Sequence, residues 1–154
     1  MKILISACLL GLPCRYDGAA KAQPWAARLV ERHTLVPVCP EQLGGLPTPR
    51  NPSERQGDRV VMNTGVDVTE QYCRGARCAL ELCRMLGCEA AVLKERSPSC
   101  GSGEIYDGTF SGTRIPGDGV AATLFRANGI EVYGESQLEM LLEKLKWDEK
   151  HDTV

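Results

Sequence analysis

Eight of the 154 residues are cysteines, and they form two populations. Cys8, Cys39 and Cys100 lie 31 and 61 residues apart, each where an apolar run gives way to a turn: ILISACLLG, LVPVCPEQLGG and AVLKERSPSCGSG. Brought together, three thiolates hold a metal and leave one position open, the arrangement of a catalytic rather than a structural centre. Soft thiolates favour Zn, Cu(I) or Fe–S. The glycine and proline turns that follow them offer backbone N–H groups to cluster sulfurs. The spacings match no compact zinc or ferredoxin signature, so plain burial is the competing reading. Glu41, two residues after Cys39, places a carboxylate beside any metal that Cys39 holds.

Cys73, Cys78, Cys83 and Cys88 recur every five residues in a stretch with a helical pattern. Five residues turn a helix by about 500°, leaving successive thiols about 140° apart and about 7.5 Å further along. They spiral and cannot close on one metal, and free cysteine packs as a small hydrophobe. Cys14, in GLPCRYDG, is a fourth donor, a second thiol or a loop residue; a turn-rich loop supplies it no evident partner, so the loop reading is favoured. Arg50 in PTPRNPSER suits a phosphate or a carbonyl, or only solvent. Gly117-Asp118-Gly119-Val120-Ala121-Ala122 copies a dinucleotide fingerprint but follows no predicted strand. Asp118 reads instead as a turn and N-cap residue, at a helix start that can still receive an anion. His33 and His151 sit at a helix end and in the tail, so little supports a histidine mechanism.

These residues need a scaffold. Apolar, β-rich runs occupy 3–7, 34–38, 90–94 and 130–133, and helical patterns cover about 23–33, 69–87, 119–128 and 136–147. Ser136 is placed to cap the last helix, with Glu139 three residues on. Continuous apolar strands alternating with helices predict an α/β fold: a mainly parallel, Rossmann-like sheet flanked by helices in one domain, residues 1–147, with a polar tail at 148–154. Such sheets bind ligands beyond the carboxyl ends of their strands, where Cys8, Cys39 and Cys100 fall. Residues 40–58, with four prolines and three glycines, are expected to be a long non-helical loop. Residues 96–119 form a second, with a short hairpin around Asp107-Gly108.

The net charge of −2 gives no reason to expect broad binding to nucleic acid or anionic membrane. No run of about 18 apolar residues marks a transmembrane helix. Ser6-Ala7-Cys8 imitates a lipoprotein box, but only Ile3, Leu4 and Ile5 separate it from Lys2, short of the roughly 7–15 residues a signal core needs. The expected compartment is the cytoplasm, where thiols stay reduced and serve metals or catalysis.

SACLLG with CRYDG (6–18), PVCPEQLGGLPTPR (37–50) and LKERSPSCG (93–101) together resemble the thiouracil desulfidase family. The resemblance spans most of the chain, in order. It implies a [4Fe–4S] cluster held by Cys8, Cys39 and Cys100, with one open iron for the substrate sulfur and no net redox change. It also implies Glu41 as the acid–base residue and a catalytic serine, Ser97 in preference to Ser99. The position of Cys14 can be valine in the family. Arg50, Ser99 and Gly101 are candidate substrate contacts. The implied partner is a thiolated pyrimidine or its nucleotide, with nucleic acid not expected and the oligomeric state unreadable. Three rivals stay open: a non-catalytic metal or redox-sensing module using the same thiols with Cys14, a metal-free nucleotide-binding protein, and a cluster enzyme with another reaction, such as a dehydration or a different sulfur transfer.

Overall fold

The computed structural model describes residues 1–151. Four runs of apolar residues form one parallel sheet: β1 (Lys2–Ser6), β2 (Thr34–Val38), β5 (Ala90–Leu93) and β8 (Glu131–Gly134), in the order β2-β1-β5-β8. Leu4 pairs with Val36 on one side and Ala91 on the other, and Val92 pairs with Tyr133. Successive strand residues point to opposite faces, and both faces are covered. Leu4, Ala91, Leu93 and Val132 pack with Ala79, Leu80 and Cys83 of α3 (Thr69–Leu86) and Phe125 of α4 (Val120–Ala127). Ile3, Ile5 and Val92 pack with Leu29 of α1 (Ala26–Arg32) and with Leu138 and Leu141 of α5 (Leu138–His151). Each fully buried aliphatic or aromatic side chain contributes about 1.5–3 kcal/mol, so the two faces fix the strand register.

The α/β sheet and its four long helices match expectation to within a few residues. Residues 152–154 of the expected tail lie outside the described residues, and 148–151 belong to α5. The two loops carry more structure than expected. Residues 40–58 contain a short helix, α2 (Pro40–Leu43), because Pro40 occupies the first helical position, where no N–H is needed. The same region starts an antiparallel hairpin, β3 (Ser53–Gln56) with β4 (Arg59–Met62). The expected hairpin near Asp107 is β6 (Glu104–Tyr106) with β7 (Arg114–Pro116). Ser136 does not cap α5: its N–H donates to Glu95 Oε1 at 2.9 Å, and a 3-10 turn over Glu135–Gln137 precedes the helix. Asp118 does not cap α4 either; Gly119 holds that position, and Asp118 Oδ1 accepts Gly103 N–H at 2.7 Å. Cys83 and Cys88 are core residues, whereas Cys73 and Cys78 are half-buried on α3. No described helix is long and apolar enough to cross a membrane.

Candidate active site

The chain leaves β1 for the β2 side and returns to build β5 on the other, so the crevice between β1 and β5 is the topological switch point where such sheets bind ligands. A cavity of about 520 Å³ opens there, lined by Cys8, Cys14, Cys39, Cys100, Glu41 and Ser97, among others. Cys8 lies in a 3-10 turn (Ala7–Leu10) directly after β1, and Cys39 links β2 to α2. Cys100 follows β5 on the loop 94–103.

Close backbone approach holds two of these carriers. A Cβ at Gly75 of α3 would stand 1.7 Å from Pro40 O, so α2, with Cys39 and Glu41 at its start, lies directly on the α3 backbone. A Cβ at Gly119 would stand 2.5 Å from Ser99 O. The first N–H groups of α4 donate to the Cys100 loop: Val120 to Pro98 O at 2.9 Å and Ala121 to Ser99 O at 2.8 Å. The helix start named as an anion site is thereby filled by the chain itself. Gly117-Asp118-Gly119 does follow a strand, β7, yet its helix has no N–H groups left to cradle a pyrophosphate.

Glu41 is the hub of a buried network. Its Oε1 accepts Tyr72 Oη–H at 2.5 Å and Arg50 Nε–H at 3.3 Å, and its Oε2 accepts Ser99 Oγ–H at 3.3 Å. Burial first, then the Glu41 charge, pushes the Tyr72 phenol far above its ordinary range, so Tyr72 stays a donor. Ser97 Oγ lies on the cavity wall and accepts N–H from Ser99 at 3.2 Å and from Cys100 at 3.1 Å. Ser99 is fully buried behind it, 3.1 Å from Ser97 Oγ. The two hydroxyls therefore join the cavity to Glu41. Lys94, anchored by Glu135 Oε1 at 2.9 Å, brings an ammonium group to the same wall, and its backbone N–H donates to Ser6 Oγ at 2.9 Å.

Three expectations change. Arg50 is not free for a substrate phosphate: its side chain is 2% exposed and also donates to Cys14 O at 3.0 Å, Pro47 O at 3.2 Å and Thr48 Oγ1 at 3.0 Å. Its task is to tie the Cys14 loop to Glu41. Gly101 is a packing position, since a Cβ would stand 2.7 Å from Ser97 O and 2.8 Å from Ile105. Cys14 is no bystander; it is buried, lines the cavity, and its carbonyl accepts from the Cys39 thiol at 3.7 Å. Tyr72 and Lys94 carried no sequence signal beyond a helix face and a strand end.

The thiols suit a soft cation. The hydrogen bond with Cys14, then burial, raises the Cys39 thiol far above its ordinary range, and burial pushes Cys100 up to about 12. The bound cation is what would deprotonate such groups. Among the described residues no three Cys, His, Asp or Glu side chains close on a single ion. Cys8, Cys14, Cys39 and Cys100 all line the cavity. Several thiols on one wall form a donor set whose softness suits a thiophilic metal group, an iron–sulfur cluster included.

Residues 3–137 match the 2-thiouracil desulfurase family. The chain belongs to that family. It is 43% identical over 150 residues to the uncharacterized protein YbbK of Bacillus subtilis (strain 168), covering 91% of this chain and 99% of YbbK. Its fold superposes on the solved structure of TudS, a [4Fe–4S]-dependent thiouracil desulfidase, with a TM-score of 0.90 and 49% identity over 95% of this chain and 98% of TudS. Family membership accounts for the thiol-lined cavity at the switch point.

Proposed function

We propose that the chain is an iron–sulfur enzyme that hydrolyses the C–S bond of thiolated uracil compounds, releasing hydrosulfide without net redox change. The observation that carries this reading is the convergence of thiols from three separate βα units on one cavity beside a half-buried carboxylate. Cys8, Cys39 and Cys100 would hold a [4Fe–4S] cluster. When bound, that group supplies a thiophilic Lewis acid for the substrate sulfur.

The chain's own residues do the proton work. Both lone-pair directions of Glu41 Oε1 are engaged by Tyr72 and Arg50, whereas Oε2 meets only the Ser99 hydroxyl. Oε2 is thus the atom that takes the proton from an attacking water or returns one to a ring nitrogen. Ser97 hydrogen-bonds the ring or the water and passes a proton through Ser99 to Glu41. Buried Arg50 and Tyr72 keep the carboxylate in one rotamer, so no reorganisation accompanies the transfer. The free state of all eight thiols fits a reducing cytoplasm.

Anaerobically reconstituted protein is expected to be brown, to bind about four irons and to release sulfide from 2-thiouracil or 4-thiouracil compounds. Cys39→Ala should lose colour and turnover together. Glu41→Ala should keep the iron and lose turnover. A colourless protein that takes zinc and refuses iron under the same treatment overturns the reading.

A further inference from the structure

We propose that Phe110, held in place by Glu54, is the wall against which the flat ring of the substrate stacks. Phe110 sits near the tip of the β6–β7 hairpin and lines the cavity that holds Glu41 and the thiols. It is 37% exposed and belongs to none of the hydrophobic clusters of the described residues. An aromatic ring left more than a third exposed on a cavity wall stabilises the fold less than a buried one. Its backbone is also costly. Phe110 has φ of +56°, a region that bulky side chains avoid. Among the described residues only one other non-glycine residue, Arg96 at +67°, shares that property, and it lines the same cavity. Strained residues persist where surrounding structure over-determines them, and they cluster at ligand clamps.

Here β3 supplies over-determining groups, chief among them one carboxylate that holds the Phe110 backbone directly. Glu54 Oε1, on β3, accepts N–H from Gly108 at 3.0 Å and from Phe110 at 3.2 Å. Gln56 Nε2 donates to Gly108 O at 2.8 Å. The hairpin tip is thereby docked across β3, with Gly108 so close that a Cβ there would stand 2.7 Å from Gln56 Cγ. Tyr16 and Tyr106 line the same cavity. The thiols, Glu41 and Ser97 address the edge of a planar heteroaromatic ring, and an aromatic wall addresses its face. The ring's identity rests on the function proposed above; the wall itself is independent of it. Phe110 would touch the ligand, and Glu54 would act through Phe110 as a positioning residue.

The test uses reconstituted full-length protein, steady-state kinetics with 2-thiouracil, and calorimetric binding of uracil, which has the ring without the sulfur. Stacking on an aromatic side chain is worth about 1–3 kcal/mol per base, or roughly 5- to 150-fold in affinity. Phe110→Ala should raise KM and weaken uracil binding by about ten-fold with kcat nearly unchanged, the signature of lost uniform binding. Phe110→Tyr should restore both. Glu54→Ala should follow Phe110→Ala, whereas Glu54→Gln, which keeps the accepting oxygen, should not. Phe110→Gly should lose affinity and yet melt about 2–4 °C above Phe110→Ala, because it relieves the left-handed backbone. Unchanged KM and unchanged uracil binding in Phe110→Ala, or a loss confined to kcat, overturn the proposal. If wild-type protein binds uracil but releases no sulfide, the desulfuration reading fails, while the uracil titrations of the variants still decide the stacking wall.

Discussion

Replacing Gly75 by alanine sets two physical effects against each other. In an unencumbered helix interior the change stabilises by about 1 kcal/mol. In α3 the new Cβ would stand 1.7 Å from Pro40 O and 2.7 Å from its carbonyl carbon. Reaching ordinary contact near 3.4 Å requires α2 to retreat by about 1.7 Å, and the yielding atoms are backbone, not a flexible side chain. Overpacking of this kind costs about 1–3 kcal/mol, here at the upper end, so the net effect is a loss of about 2 kcal/mol. For 154 residues that lowers the Tm by about 4–8 °C. Glu41 is the residue after Pro40, so the retreat also draws its carboxylate away from Tyr72 Oη and Ser99 Oγ. A displacement of about 1 Å at a catalytic group costs on the order of 100-fold in rate. Thermal denaturation paired with sulfide release from the reconstituted variant measures both. A variant as stable as wild type with full turnover would refute the claim that α3 fixes the position of Glu41.

Tyr72→Phe removes the 2.5 Å donor to Glu41 and leaves the ring packed; turnover should fall by about 10- to 100-fold with iron content unchanged. Cys14→Val should retain the cluster's iron and its spectrum, since three thiols suffice. A loss of iron equal to that of Cys39→Ala would favour the four-thiol sensing module instead. Burial pushes Cys100 up to about 12 and Cys83 up to about 11, against 9.0 for a free thiol. The folded chain then keeps protons that the unfolded chain releases, so the stability of the reduced, cluster-free protein should decline as pH rises from about 9 toward 11–12. Melting curves at stepped pH test this, and Cys83→Ala should flatten the slope between pH 9 and 11.

The sheet was legible because buried parallel strands read as continuous apolar runs: ILIS, AAVL and their partners admit few other placements. Cys8, Cys39 and Cys100 were legible for the same reason, as each lies just past a strand end. The strand Ser53–Gln56 was not, since its four polar residues lie on a surface hairpin where no core imposes alternation. The Gly57-Asp58 dipeptide between two short runs was the available sign of that turn. Pro40 hid α2 because proline excludes a helix interior but not its first turn. Arg50 and Tyr72 were beyond reach for another reason. Their roles exist only through contacts 9 and 31 residues away at Glu41, and no local pattern encodes such a contact. Cys14 fell in the same class, brought to Cys39 by a loop whose path Arg50 fixes.

The placement of the three thiols on separate strand ends has a consequence for how the protein matures. No stretch of chain shorter than the 93 residues from Cys8 to Cys100 contains all three of the proposed ligands. Even that stretch brings them together only after β1 has paired with both β2 and β5. A nascent chain that has not yet paired β5 with β1 therefore cannot present the three thiols together. Parallel pairings of high sequence separation form slowly, and the centre can be loaded only after they are complete. Loss of the cluster to oxygen or a chelator would then leave a vacant folded scaffold that can be refilled, unlike a zinc finger, which unravels with its metal.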